Sequence, residues 1–138
     1  MNEYVARPVE PSPAVMAPTI LVVEDDVLIR IAAADYLRGC GLIVLEAVDV
    51  ARALAILETE KALRLVFADV RLPGPQSGLD LMEIVRRDYP AVKILLTSGV
   101  IRADETTLGG ITLLRKPYFL FEVERHVKSL LADAAAAG

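Results

Sequence analysis

The sequence predicts an α/β domain: a doubly wound, five-stranded parallel sheet with helices on both faces. Three observations carry this. Five short apolar runs alternate with segments of helical period. The runs are apolar throughout, as strands covered from both sides are. The unusual polar residues fall directly after these runs, so they gather at the carboxyl edge of such a sheet, where ligands bind.

Each element has its own signal. Ile20 to Val23 is a β-branched run and reads as the first strand. Val27 to Arg38, rich in Ala, Leu and Ile, is a helix that ends at Gly39 and Gly41. Leu42 to Leu45 is the second strand. Asp49 is a good N-cap for a helix from Val50 to about Glu60, with Ala51, Leu54, Ala55 and Leu57 on its apolar face. Leu63 to Ala68 is the third strand. Pro73, Gly74, Pro75 and Gly78 break the chain into a loop before a helix from Leu79 to Arg87. Val92 to Thr97 and Ile111 to Leu114 are the fourth and fifth strands, and Phe119 to Leu131 is the closing helix.

The 138 residues suit one domain. It is expected to span 18–133, between a disordered tail at 1–17, where Pro8, Pro11 and Pro13 block helix and ladder hydrogen bonds, and a frayed tail at 134–138. A hydrophobic share of 54% is enough for a sizeable core. The net charge of −4 and the lack of any basic stripe argue against nucleic acid as a partner. No apolar run reaches the roughly 18 residues of a membrane span. The lone Cys40 cannot form an internal disulfide and fits a reducing, cytoplasmic compartment.

The polar residues define the chemistry. Glu24, Asp25 and Asp26 follow the first strand, Asp69 the third, Thr97 and Ser98 end the fourth, and Lys116 follows the fifth. Two carboxylates about 4–5 Å apart repel by roughly 3–4 kcal/mol at an effective dielectric of 20. Such a rim calls for a cation, and a hard, all-oxygen site with room for water suits Mg²⁺. Zinc lacks ligands here, because the single histidine, His126, lies on the last helix. A phosphoryl group brought to Asp69 could then share its oxygens among Mg²⁺, the Lys116 ammonium and a small hydroxyl. Each feature alone has an ordinary explanation as a cap or a turn; four in order at four strand ends do not.

The runs Ile20-Leu21-Val22-Val23-Glu24-Asp25-Asp26, Asp69-Val70-Arg71-Leu72-Pro73-Gly74, Leu96-Thr97-Ser98-Gly99 and Arg115-Lys116-Pro117-Tyr118 resemble the receiver domains of bacterial two-component response regulators, over residues 19 to about 132. The resemblance implies a flavodoxin-like receiver fold with strand order 2-1-3-4-5 and phosphorylation of Asp69. It implies that Asp25 and Asp69 ligate Mg²⁺ directly, Glu24 through water, and Arg71 through its backbone carbonyl. Ser98 aligns with the switch hydroxyl and Lys116 with the phosphate-pairing lysine, whose bond to Pro117 is a candidate cis peptide.

Three departures stand out. The loop after Asp69 is longer by one residue, at Gly74 to Ser77. The stretch from Ser98 to Lys116 is about four residues short, so the helix expected there is a single turn or irregular. Leu113 occupies the place of the family's switch aromatic.

The expected function is that of a stand-alone receiver, not an enzyme in its own right. It takes phosphate from a sensor histidine kinase or histidine phosphotransfer protein and signals by altered binding to a downstream protein. A phosphate sink and a phosphate-independent pseudo-receiver are the rival readings. A phosphatase-like hydrolase would want an acid two residues after the nucleophile, where Arg71 stands. Val27, Ile31 and Ala34 form a stripe suited to docking on a helical hairpin, unless it is core. Phosphorylation is expected to order Gly99 to Gly110 beside Tyr118, Phe119 and Phe121, forming a partner surface or homodimer face.

Overall fold

The computed structural model describes residues 17–99, 107–108 and 110–137; side chains are described except at 107–108 and 134–137. Its elements run β1 (Thr19–Val23), α1 (Val27–Gly39), β2 (Ile43–Ala47), α2 (Val50–Thr59), β3 (Leu63–Asp69), α3 (Gly78–Asp88), β4 (Lys93–Ser98), β5 (Thr107–Leu108), β6 (Ile111–Arg115) and α4 (Leu120–Ala137). The sheet order is β2-β1-β3-β4-β6-β5. The five strands from β2 to β6 are parallel and carry the 2-1-3-4-5 order. The two-residue β5 is an addition, antiparallel to β6, with Gly110 at φ +85 turning the chain between them.

The sheet divides the core into two layers. Leu21, Val23, Val66, Ala68, Ile94 and Leu96 face α2 and α3. Ile20, Val22, Leu65, Phe67, Leu95 and Leu114 face α1 and α4. This is the period-two alternation of strands buried on both sides. At about 1.5–3 kcal/mol per large side chain fully removed from water, the layers supply the main drive for folding.

The helices differ from expectation in which residues they bury. In α1 the core residues are Ala33, Ala34 and Leu37. Val27 and Ile31 are 53% and 43% exposed. The expected docking stripe therefore loses Ala34, because small side chains let α1 lie close against β1 and β2. In α2, Val50, Ala53 and Leu57 are buried, while Ala51 and Ala55 face out; the bulkier i, i+3, i+7 row takes the core. The helix α4 continues to Ala137, so the stretch read as a frayed tail is helical up to that residue. Alanine loses no side-chain entropy in a helix, which favours this extension.

Leu113 is partly buried and packs against the α2–α3 layer. Residues 100–106 and Gly109 lie outside the described residues, and with them most of the segment expected to order between Gly99 and Gly110. Among the described residues no helix is long and apolar enough to cross a membrane.

Candidate functional site

The strand register brings the predicted polar residues to one edge. Asp69 pairs with Thr97, and Ser98 with Arg115. By alternation along their strands, Glu24, Asp69 and Thr97 continue the rows Ile20–Val22, Leu65–Phe67 and Leu95 on the face toward α1 and α4. Glu24, Asp69 and Ser98 are only 5%, 7% and 4% exposed.

The turn after β1 uses its three acids differently. Asp26 caps α1, its Oδ1 accepting from the Leu28 and Ile29 amides at 3.0 Å each. Glu24 Oε2 accepts from the Asp26 amide at 3.1 Å, which turns the glutamate inward. Asp25 is exposed at the mouth of the site.

Asp69 ends β3 with both oxygens engaged. Oδ1 accepts from the Arg71 amide at 3.0 Å, and Oδ2 from Lys116 Nζ at 2.5 Å. The same ammonium donates to Glu24 Oε1 at 3.2 Å. Lys116 is placed by its own amide, which donates to the Ser98 carbonyl at 3.0 Å, and by the cis peptide to Pro117. Burial, with some help from the Asp69 charge, holds the Glu24 carboxyl above the ordinary glutamate value, against the pull of the Asp26 amide and Lys116. Burial works to lower Lys116, but its bonds and attraction to Asp69 and Glu24 together outweigh that and hold it above the ordinary lysine value. The asymmetry follows from the count: one ammonium is shared by two carboxylates.

Above this floor opens a cleft of about 720 Å³, lined by Glu24, Asp25, Asp69, Arg71, Ser77 and Lys116 among others. The structure thus joins Glu24, Asp69 and Lys116 by direct contact and brings Asp25 and Arg71 to the same cleft. Ser98 stands at the end of β4, outside that lining. A smaller, apolar groove of about 430 Å³ beside Ile29, Ala32 and Tyr118 lacks a carboxylate wall.

No three His, Cys, Asp or Glu side chains among the described residues form a metal-holding group. This does not count against Mg²⁺, which keeps several waters and takes only one or two carboxylates plus phosphate oxygens. The hard oxygen donors around this cleft fit that requirement, and Lys116 already marks the place where positive charge is needed.

The family model of the response regulator receiver domain matches residues 20–118. The chain belongs to this family. It is 36% identical over 131 residues to the response regulator protein FleR of Pseudomonas aeruginosa, a match covering 89% of this chain and 27% of that one. The chain spans about a quarter or less of the curated relatives it matches. Among solved structures, a response regulator receiver protein from Pseudomonas putida is 30% identical with a TM-score of 0.73, covering 82% of this chain and 97% of that one. The receiver domain of the hybrid histidine kinase CckA is 34% identical with a TM-score of 0.69, covering 82% of this chain and 98% of that one.

Two features of this receiver domain escaped the sequence reading. Thr97 Oγ1 is buried with no hydrogen-bond partner, directly across from Asp69. Gly78 is more than a helix breaker. A Cβ there would stand 2.2 Å from the Asp69 carbonyl oxygen and 2.8 Å from Val70 Cα, both backbone atoms. Its amide donates to the Val70 carbonyl at 2.8 Å, so the first turn of α3 presses against the end of β3. Gly78→Ala is expected to cost about 1–3 kcal/mol, the usual range for overpacking. Urea unfolding measures it, and a variant as stable as wild type would show that α3 can move away freely.

Proposed function

We propose that this receiver domain accepts a phosphoryl group on Asp69 from the phosphohistidine of a sensor histidine kinase or histidine phosphotransfer protein, and signals through changed binding to a downstream protein. The observation that carries this is the Asp69 carboxylate, pinned at the cleft floor between the Arg71 amide and Lys116. One oxygen of Asp69 attacks phosphorus in line, the phosphorus–nitrogen bond breaks, and the imidazole leaves with the bonding electron pair. The Arg71 amide holds the carboxylate in place during attack. Lys116 then pairs with a phosphoryl oxygen instead of Asp69, and the Ser98 hydroxyl donates to another. Asp25, Asp69 and the Arg71 carbonyl would hold Mg²⁺, with Glu24 acting through water, and the ion would offset charge on the transferring group. The reading places the domain in the cytoplasm, where a free thiol such as that of Cys40 persists.

Incubation with acetyl phosphate and Mg²⁺ should add one phosphoryl group by intact mass, and EDTA should prevent it. Labelling at the same rate in EDTA would overturn the reading of the site.

The exposed row of Val27, Leu28 and Ile31 on α1, beside the cleft, is the surface we assign to the donor's helical hairpin. Ile31→Glu is expected to lose about 1–2 kcal/mol of docking, roughly tenfold in transfer from the donor. Labelling by acetyl phosphate and the melting temperature should stay unchanged. A large drop in melting temperature would assign Ile31 to packing.

A further inference from the structure

We propose that Arg30 and Glu46 are positioning residues, which lock the turn carrying Glu24 and Asp25 onto β2 and thereby preorganise the cation site. The proposal rests on the reading of that site given above.

The backbone of Glu24 is held from both sides. Its amide donates to the Ala47 carbonyl at 3.0 Å, and its carbonyl accepts from Arg30 Nη1 at 3.1 Å. Arg30 is in turn fixed by Glu46, its Nε donating to Oε1 at 3.1 Å. The other oxygen of Glu46 accepts from Arg38 Nη2 at 3.0 Å, and that nitrogen also donates to the Val44 carbonyl at 2.8 Å. The Arg30 side chain is 14% exposed and that of Glu46 27%, so the pair is partly shielded from water.

The Glu24 carbonyl belongs to the peptide plane that leads into Asp25. Fixing its oxygen fixes the direction in which Asp25 leaves the strand, and so where its carboxylate can reach. An ordinary helix–strand ion pair needs no such third bond and contributes little. Here the guanidinium uses one nitrogen for the carboxylate and another for the carbonyl, which requires the planar fork of arginine; a lysine ammonium cannot span both acceptors in this geometry. Residues that orient metal ligands without touching the metal commonly set a large part of the affinity.

The test is a calorimetric Mg²⁺ titration of the full chain. Arg30→Met, and Arg30→Lys as a second variant that keeps the charge, should each weaken Mg²⁺ binding by about tenfold. Glu46→Leu, which removes the acceptor that fixes Arg30, should weaken Mg²⁺ binding to a similar degree, and wild-type affinity in that variant would overturn the role assigned to Glu46. Arg38→Met touches the same carboxylate but not Glu24, so it should lower the melting temperature without changing Mg²⁺ affinity. Wild-type affinity in both Arg30 variants, or an equal loss in Arg38→Met, would overturn the proposal. The site reading fails separately, and takes the proposal with it, if wild type binds no Mg²⁺ or if Asp25→Asn binds as well as wild type.

Discussion

Asp69→Asn is expected to take up no phosphoryl group, from acetyl phosphate or from a phosphohistidine donor, while keeping its fold. The carboxylate supplies a charged oxygen nucleophile; the carboxamide is neutral and its oxygen far less nucleophilic, so attack on phosphorus falls to background. The fold survives because the substitution spares the local bonds. The asparagine carbonyl can still accept from the Arg71 amide, and Lys116 keeps Glu24 as a partner. The remaining loss is one charge-assisted hydrogen bond, about 1.5–3 kcal/mol, offset in part by one fewer buried carboxylate. Intact mass after acetyl phosphate treatment, beside a thermal melt, separates loss of chemistry from loss of structure. A variant that labels at the wild-type rate would place the acceptor on another carboxylate, with Asp25 next in reach of the cleft.

The parallel sheet and the floor of the site were legible in the sequence for one reason. Strands buried on both faces read as unbroken apolar runs, so a charged residue at the end of such a run marks the carboxyl edge. Glu24, Asp69 and Lys116 are all of this kind, and the structure brings them into contact. Other parts depended on information that is not local. The strand β5 has two residues and forms only because β6 offers an edge. The choice among the apolar rows of α1 is made by how closely the helix can approach the sheet, which favoured Ala33 and Ala34 over Ile31. Glu46 lies beyond Leu45, where the apolar run ends, and Arg30 is 16 positions away on a helix, so nothing in either residue's neighbourhood announces their pairing. Gly78 looked like one breaker among several; only the lack of room for a Cβ beside the Asp69 carbonyl distinguishes it from Gly74, which has open space around it.

Lys116→Met is expected to make the stability of the metal-free protein depend strongly on pH. In wild type the ammonium is shared by two carboxylates whose side chains are only 6% and 9% exposed. Removing one partner of a buried pair costs about 3–5 kcal/mol, and the 24% exposure of the lysine side chain points to the lower end. Methionine keeps the length of the stem, so the packing of the methylenes changes little. The sign of the pH effect follows from the shifts. Glu24 already sits above the ordinary glutamate value through burial, and loss of the ammonium pushes it further. A carboxyl raised on folding contributes stability that is full below its unfolded value and is lost as pH rises through the folded one. The raised Lys116 contributes in wild type below the ordinary lysine value and fades only above it. In EDTA the melting temperatures of wild type and variant should therefore nearly coincide at acid pH, separate toward neutral pH, and approach again once the lysine itself deprotonates. Added Mg²⁺ should narrow the neutral-pH gap, since a divalent cation bound to the folded form replaces the missing charge. A gap that stays constant across pH would mean that Lys116 stabilises the edge through its methylene stem, and that the two carboxylates do not need its charge.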